Sequence, residues 1–380
     1  MTFLSLYPLI KLKFAFTGIF YMYVLFLYIN WEKSFPENLT RGKNMRNGII
    51  GSGNWVYDKV KTLDRWPGEG NLSNIISIVN AAGGGPANVL FDLAAMDKDL
   101  PLYASGLTGK DSEGESLIEE SRKRNIDVTY LKQIDGVSTS FTDVMSAEGK
   151  RTFFHCRGAN DKLDYQDFVD IDVPAKFFYL GYLLLLAKLD EKDPEYGTVA
   201  GKVLNLMRSK GYKTIVDLVS EAPERFRSIV IPALPYIDVL FINEVELGAC
   251  SNIPLRDENG KLIAANLPAA LDFMIANGVK ETVIVHFPEG AGAKTASGEY
   301  IYVPSCDIAK SEIVGTNGAG DAFAAGTIYG LHAGWDLEKS LRLGSASSHF
   351  NLLCASASGG AVSLEKMQEF LATCKYSPMP

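Results

Sequence analysis

The alternation of strand and helix patterns after Asn160 constrains the fold of this chain more than any other feature of its sequence. Three apolar runs have strand character: Phe177–Leu180, Thr214–Leu218 and Val239–Ile242. Helical patterns lie between them, and in Tyr196–Ser209 the apolar residues recur at spacings of three and four. Alternating units of this kind predict an α/β fold with a mostly parallel sheet that helices cover on both faces.

The earlier part of the chain contains segments that are rich in strand patterns. After a first buried strand at Ile49–Ile50, strands are predicted within about 55–80 and 128–157, with glycine and proline turns nearby. These segments are expected to form a smaller sheet, a lid, beside the large one. We therefore predict one domain over residues 46–380, with lid strands from about 55–80 and 128–157.

Residues 1–45 differ from the rest of the chain. Phe14–Trp31 is an uncharged run of 18 residues. As a helix it would span about 27 Å, which is marginal for a bilayer. Two interpretations stay open. The run is a membrane anchor, or residues 1–45 are upstream sequence outside the natural protein, because Met45 lies three residues before the predicted strand segment Gly48–Gly53. Membrane contact is predicted only if residues 14–31 belong to the protein.

Charge and cysteine content exclude several classes of function. With 37 Lys and Arg against 45 Asp and Glu, the chain has a net charge of −8, so it lacks the basic surplus of a nucleic-acid binder. Its five cysteines are scattered and form no CxxC pair, which argues against a disulfide framework or a zinc site. This cysteine usage is typical of a reducing compartment, and we expect a cytoplasmic location.

The stretch Glu312–Leu331 is the strongest candidate for a site of chemistry. Its sequence predicts a short strand at Ile313–Val314, a glycine-rich turn and then a helix. Glycines before a helix let backbone amides approach a phosphate, and the helix N-terminus adds about half a positive charge. Asp321 would repel a phosphate there, so we interpret it as a base aimed at a second reactant. An ordinary helix start with a dipole-complementing carboxylate explains the spacing equally well.

Two further patterns place polar residues where a ligand could bind. Gly84 and Gly85 remove side chains at a turn before a helix, and Asn88 offers an amide from the first helical turn. Asn54 and Asp58 follow the first strand, at the end where open α/β sheets bind ligands. Each pattern also has a purely structural explanation. An ordinary helix start explains the glycines and Asn88, and a solvated strand end explains Asp58.

Asn243 and Glu246 directly follow the strand Val239–Ile242. Their spacing places them one helical turn apart on the same face. Oxygen ligands of this kind suit Mg²⁺, which keeps several waters and takes few protein contacts. A capping asparagine before an acidic first turn accounts for the pattern equally well.

One long motif resembles a known family. Gly318-Ala319-Gly320-Asp321-Ala322-Phe323, followed by Ala325-Gly326, closely resembles the C-terminal signature of the ribokinase-like carbohydrate kinases, the PfkB family. Gly83-Gly84-Gly85-Pro86-Ala87-Asn88 resembles the N-terminal signature of the same family, and the resemblance covers about residues 47–372. It implies a ribokinase-like three-layer α/β/α sandwich with a mostly parallel sheet and a small β-sheet lid. It also implies transfer of the γ-phosphoryl group of ATP to a hydroxymethyl group of a sugar.

The resemblance also implies roles for single residues. Asp321 becomes the catalytic base, and the anion hole is formed by Gly318, Ala319 and Gly320. The residues that face the sugar become Asn54, Asp58, Gly84, Gly85 and Asn88. The residues near ATP and Mg²⁺ become Asn243, Glu246, Thr316 and Gly290, with Glu246 contacting the metal through water.

The chain departs from the family pattern at several positions, which keeps alternatives open. Gly315 stands where the family usually has an Asp that binds a monovalent cation, so activation by such a cation is not carried over. Thr316-Asn317 resembles adenosine kinases whereas Gly85-Pro86 resembles sugar kinases, and a nucleoside kinase is therefore the main alternative. Gly315 and the altered loop at His286 motivate a third hypothesis, a sugar-binding sensor without turnover. Lid strands of the family can pair between subunits, so a homodimer also stays open.

Overall fold

A large sheet forms the centre of the fold. The computed structural model describes residues 46–148, 150–220 and 223–378, and the sequence predictions for residues 1–45 lie outside this range. Strands are labelled in chain order: β1 (Ile49–Gly53), β2 (Val56–Leu63), β3 (Ile75–Gly83), β4 (Leu102–Gly109), β5 (Ile126–Ile134), β6 (Phe141–Ala147), β7 (Lys150–Cys156), β8 (Phe177–Leu183), β9 (Lys192–Asp193), β10 (Gly197–Thr198), β11 (Lys213–Leu218), β12 (Val239–Asn243), β13 (Thr282–Phe287), β14 (Gly290–Thr295) and β15 (Tyr300–Pro304).

Within the described residues the large sheet has nine strands, in the order β15-β14-β13-β12-β11-β8-β1-β4-β5. Every neighbouring pair from β13 to β5 is parallel. The antiparallel strands β14 and β15 complete one edge. The predicted α/β fold with a mostly parallel sheet is confirmed.

Helices cover the sheet on both faces. They are α1 (Gly85–Met96), α2 (Ser112–Arg122), α3 (Gln166–Val169), α4 (Val199–Ser209), α5 (Pro223–Ala233), α6 (Glu244–Ser251), α7 (Leu267–Ala276), α8 (Ala319–His332), α9 (Leu337–Leu352) and α10 (Leu364–Leu371). Because successive strand residues point to opposite faces, one core contains Ile49 and Phe177 with residues of α1, α8 and α9. The other core contains Ile50 and Phe178 with residues of α4 to α7. These layers, which belong to a compact unit over Asn47–Pro380, form an α/β/α sandwich.

The smaller sheet contains four strands of the described residues, in the order β3-β2-β6-β7. Its strands β2 and β6 are parallel, and the other two pairs are antiparallel. The predicted lid segment 128–157 is wrong at its start, because residues 128–134 belong to β5, which pairs with β4 in the large sheet. The reason is burial: Ile126 and Leu131 of β5 are 2% and 4% exposed and pack in the core beside α1 and α2.

Ile313–Val314 is not a strand, so that prediction is wrong. The segment is irregular, and its backbone is held by the end of α9, where the N–H of Val314 donates to the carbonyl of Leu352 over 2.9 Å. The side chain of Val314 is 58% exposed, so the apolar pair does not form a buried strand. Within the described ranges, no helix has the length and apolar character needed to cross a bilayer.

Candidate active site

The N-terminus of α8 is the centre of the candidate site. Its capping residue, Gly318, has a left-handed backbone (φ 77°), and a Cβ there would collide with the carbonyl oxygen of Ala357. Glycine is therefore required for the turn that starts the helix. Ala319 and Gly320 follow in the first turn, where N–H groups lack acceptors within the helix, and Asp321 is the third helical residue.

Two cavities meet at this helix tip. The lid cavity, of about 390 Å³, is lined by residues from the lid and from α1, β8 and α8; Asp58, Asn88, Phe153, His155, Tyr182 and Asp321 are among them. The hairpin cavity, of about 430 Å³, lies beside the turn between β13 and β14; its lining includes His286, Gly290, Thr316, Ala319, Gly320 and His349. Consecutive residues of α8, Gly320 and Asp321, thus line different cavities.

The carboxylate of Asp321 is held by two other elements. Nδ2 of Asn88 donates to its Oδ2 over 2.8 Å, and the hydroxyl of Tyr182 donates to both of its oxygens, over 2.7 and 2.8 Å. Asp321 is 6% exposed. Burial raises the pKa of Asp321 to about 6, and the hydrogen bonds from Tyr182 and Asn88 act in the opposite direction. The group is therefore mainly ionised at neutral pH and is still basic enough to take a proton.

Asn54 lines the lid cavity, but its amide is engaged by the protein. Its Oδ1 accepts the N–H of Tyr182 over 2.8 Å, and its Nδ2 donates to the carbonyl of Leu185 over 3.2 Å. The side chain is fully buried. Asn54 therefore positions the segment that carries Tyr182 as well as lining the cavity.

Asp58 projects from lid strand β2 into the same cavity. Burial raises its pKa to about 7, although a hydrogen bond with Thr142 on the neighbouring strand acts to lower it. The hydroxyl of Thr142 also lies 3.0 Å from Nδ1 of His155 on β7. Three lid strands thus contribute one connected polar group to the cavity.

Gly84 and Gly85 are required by packing within the protein. Gly84 lines the lid cavity and has φ 84°, and a Cβ there would collide with the carbonyl oxygen of Asn54. A Cβ at Gly85 would lie 3.0 Å from the hydroxyl of Tyr179 and from the ring of Tyr182. These glycines allow α1 to begin close to β8, and this brings Asn88 to Asp321.

Asn243 and Glu246 form a capping box at the start of α6. Oδ1 of Asn243 accepts the N–H groups of Val245 and Glu246, and Oε2 of Glu246 accepts the N–H of Asn243 over 2.9 Å. The other oxygen of Glu246 accepts the hydroxyl of Ser220 over 3.0 Å, and burial raises the pKa of this carboxyl to about 7. Because both oxygens are engaged, direct coordination of Mg²⁺ by Glu246 does not fit this arrangement.

No cluster of three or more His, Cys, Asp or Glu side chains suited to a metal ion occurs among the described residues. Contact of Glu246 with Mg²⁺ through water remains a prediction. Ser220, which binds both Asn243 and Glu246, lines the lid cavity and so connects the capping box to it.

Aromatic rings are part of the lining of the hairpin cavity. His286, on β13, lies against Phe323 with ring centroids 5.5 Å apart, and burial lowers its pKa to about 4. A Cβ at Gly320 would lie 3.0 Å from Cε1 of this ring, so the glycine allows the neutral imidazole to approach the helix tip. Thr316 and Gly290 line the same cavity. A cavity of this volume with an exposed helix N-terminus can hold a ligand that joins an aromatic group to phosphates.

Several residues of the site were missed by sequence reasoning. Tyr182 lies in the string Tyr179–Leu186, which reads as an apolar core strand, and nothing in it distinguishes a tyrosine that reaches a carboxylate. Thr142 and His155 lie in lid strands whose order the sequence did not predict.

Comparisons with known proteins identify the family and the fold of this chain. A family model for the pfkB family carbohydrate kinases matches residues 49–363. Among solved structures, a ribokinase of Arabidopsis thaliana complexed with ribose and ATP aligns with a TM-score of 0.68 at 21% identity, covering 87% of this chain and all of that one. A putative ribokinase II of E. coli in complex with ATP and Mg²⁺ aligns with a TM-score of 0.67 at 18% identity, covering 86% and 99%. The fold is therefore that of the ribokinases.

Curated relatives are kinases of different small molecules. An adenosine kinase of Saccharomyces cerevisiae is 29% identical over 254 residues, which is 63% of this chain and 68% of that enzyme. A 5-dehydro-2-deoxygluconokinase of Clostridium perfringens is 25% identical over 302 residues, covering 76% and 83%. With the family match over most of its length, the chain belongs to the pfkB family of carbohydrate kinases. It is a phosphotransferase with an alcohol group as acceptor.

Proposed function

We propose that this protein transfers the γ-phosphoryl group of ATP to a hydroxymethyl oxygen of a sugar. The observation that carries the proposal is the meeting of two cavities at one helix tip. The carboxylate of Asp321 faces the lid cavity, while Ala319 and Gly320 line the hairpin cavity. Phosphoryl transfer to an alcohol uses a base for the hydroxyl proton and a group that stabilises the transferred phosphoryl, and the helix tip supplies both.

In the proposed reaction, the acceptor binds in the lid cavity and ATP binds in the hairpin cavity. Asp321 takes the proton of the acceptor hydroxyl as its oxygen attacks the γ-phosphorus. The bond from that phosphorus to the bridging oxygen of ADP breaks, and ADP leaves with the electron pair. The N–H groups of Ala319, Gly320 and Asp321 stabilise the negative charge on the transferred group, with Gly318 fixing their direction.

The surroundings of Asp321 support its role as a base. Asn88 holds one oxygen, and the Oδ1 of Asn88 is buried without a hydrogen-bond partner among the described residues. A buried acceptor of this kind favours a donor from the ligand, and a sugar hydroxyl is such a donor. Asp58 offers a second acceptor from the lid. We propose that closure of the lid over the sugar excludes water and limits hydrolysis of ATP.

Mg²⁺ is expected to accompany ATP, and it would neutralise charge on the phosphates. We propose that Asn243, Glu246 and Ser220 act on the hydration shell of the metal, because the oxygens of all three side chains already accept hydrogen bonds from protein groups.

A nucleoside kinase is the second candidate, favoured by one observation. The ring of Phe153, on lid strand β7, lines the lid cavity and is 55% exposed, and Tyr182 lies on the same cavity. Aromatic rings of this kind can stack on a nucleobase. A nucleoside would present its 5′-hydroxymethyl group to Asp321, so the chemistry is the same for both candidates.

The experiment that tests the proposal measures ADP release with a panel of sugars and nucleosides in the presence of ATP and Mg²⁺. We expect at least one sugar to raise ADP release well above the hydrolysis seen without an acceptor. Turnover of adenosine or inosine in preference to all free sugars would favour the nucleoside kinase. Thermal stabilisation by a sugar, without ADP release from any acceptor, would instead support the sensor hypothesis.

Tyr182→Phe is expected to shift the acidic limb of the pH profile of kcat. Asp321 acts as a base only when ionised, so kcat falls as the pH drops through its pKa, which is about 6 in this structure. The phenol hydrogen bond lowers that pKa, so its removal should move the limb to higher pH. Tyr179→Phe is the matched control, since its hydroxyl donates to Asp217 over 3.2 Å and not to Asp321. Equal profiles for the two variants would contradict the role of Tyr182.

A further inference from the structure

His286 carries a hydrogen-bonding side chain that the proposed mechanism does not use. It lies near the C-terminal end of β13, in register with Asn243 at the end of β12, and it lines the hairpin cavity. Burial lowers the pKa of His286 to about 4, so the imidazole is neutral at neutral pH. Among the described residues, neither ring nitrogen has a hydrogen-bond partner. A neutral imidazole carries one N–H, and this donor is therefore available to a ligand.

The ring of His286 lies against the first turn of α8. Measured from the position that a Cβ of Gly320 would take, Cε1 is 3.0 Å away, Nε2 is 3.4 Å away and Nδ1 is 3.9 Å away. The ring of Phe323, in the next turn of the helix, packs on the imidazole with centroids 5.5 Å apart. The absence of a side chain at Gly320 thus brings the imidazole to the helix tip, with Nε2 as the nearer nitrogen.

The side of the helix tip on which His286 lies indicates which phosphate it can reach. Asp321, the proposed base, lines the lid cavity, whereas His286 lines the hairpin cavity together with Ala319 and Gly320. In an in-line displacement the transferred group lies between the acceptor and the departing ADP. The phosphate on the side of His286 is therefore the terminal phosphate of ADP, which gains negative charge as its bond to the transferred group breaks.

Other side chains of this cavity are less suited to that phosphate. Glu244 is a carboxylate, which would repel a phosphate, and its Oε1 accepts a hydrogen bond from Arg256 over 2.6 Å. The ring of His349 stacks on Phe370 of α10, with centroids 4.3 Å apart. Lys310 is exposed and belongs to the irregular segment before α8. His286 is therefore the best placed of these groups.

We propose that His286 donates a hydrogen bond from Nε2 to the terminal phosphate of ADP, and to the same phosphate of ATP before transfer. His286 is then a further catalytic residue, because it contacts the leaving group while charge develops there. This inference rests on the proposed function and deepens it, since the amides of α8 were assigned to the transferred group. It also gives the altered loop at His286 a role in turnover.

His286→Phe removes the N–H and keeps a planar ring against Phe323. A hydrogen bond to a charged group corresponds to a factor of about 10–100 in a binding constant, so we expect ADP to bind about 10–100-fold more weakly by calorimetry. AMP lacks the terminal phosphate, and its affinity should stay close to that of the wild type. Because charge on this phosphate grows during transfer, kcat should fall with the ADP affinity while KM for the acceptor is unchanged.

Two further variants separate hydrogen bonding from packing. His286→Gln restores a donor, since the side-chain amide of glutamine reaches about as far as Nε2 of histidine, and it should recover most of the lost ADP affinity. His349→Phe removes an imidazole from the same cavity and should leave the ratio of ADP affinity to AMP affinity unchanged.

The outcomes distinguish this inference from the function on which it rests. If the wild type binds ADP and His286→Phe keeps the wild-type ratio of ADP affinity to AMP affinity, the inference fails and the phosphotransfer proposal stands. A His286→Gln protein that binds ADP as weakly as His286→Phe assigns His286 to packing and also overturns the inference. Absence of ADP binding to the wild type, with no ADP release from any acceptor, overturns both. If His286→Phe does not fold, His286→Leu takes its place in the comparison with His286→Gln.

Discussion

Replacing Asp321 by asparagine is expected to lower kcat by about 10²–10⁴-fold, the contribution of a positioned general base. The amide keeps the size of the carboxylate, and Asn88 and Tyr182 still have an oxygen to which they can donate. The variant cannot take a proton from the acceptor, because an amide oxygen is hardly basic. Acceptor binding should therefore persist while turnover is lost.

The measurement is steady-state ADP release combined with calorimetric binding of the acceptor. Asp92→Asn is the matched control, since Asp92 lies one helical turn beyond Asn88 and is 1% exposed. Both carboxyl oxygens of Asp92 lack hydrogen-bond partners among the described residues. Burial, followed by the charge of Asp321, raises its pKa well above the ordinary value, so Asp92 is a buried, neutral acid that makes no hydrogen bond to the base. We expect this control to keep its rate within a few-fold. An Asp321→Asn protein with more than a tenth of the wild-type kcat would exclude the base assignment.

The features that could be predicted from the sequence are those that depend on residues close together in the chain. The turn at Gly318 and the start of α8 depend on residues that are adjacent in the chain, so a motif of six residues placed Asp321 in the first helical turn. The mostly parallel sheet could also be predicted. The spacing of apolar residues indicates whether a segment is a strand or a helix, and strands and helices alternate along the chain. Both features are set by short-range sequence.

Features that depend on distant residues were not predicted. Residues of β5 alternate in a way that suits a lid strand as well as a core strand, and only their pairing with β4 decides between the two. Tyr182 reaches Asp321 across 139 positions of sequence, and its strand carries no polar pattern. The pair Asn243 and Glu246 was placed correctly at a helix start, where capping was one of the two interpretations of the sequence. The contact of both side chains with Ser220 was not predicted, because Ser220 belongs to a different segment of the chain.

Gly318 fixes the turn that directs the amides of the proposed anion hole. We expect Gly318→Ala to lower kcat by about 10²–10³-fold, the size of the loss when a preorganised oxyanion donor is displaced. The left-handed backbone costs an alanine about 1–2 kcal/mol, and its Cβ would also collide with the carbonyl oxygen of Ala357. Relief of this collision has to move the first turn of α8, and with it the amides of Ala319 and Gly320.

Gly334→Ala separates backbone strain from the loss of the anion hole. Gly334 has φ 76°, almost the same as Gly318, but nothing lies within 4 Å of the position of its Cβ. This control should show the loss of stability expected for a left-handed alanine and retain its kcat, as measured by thermal unfolding and ADP release. Gly318→Ala should lose stability and rate together, with weaker binding of ADP. One outcome would contradict this prediction: Gly318→Ala is less stable to thermal unfolding than Gly334→Ala, yet has the same kcat. In that case the amides at the tip of α8 do not hold the transferred phosphoryl group, and the donor site lies elsewhere in the hairpin cavity.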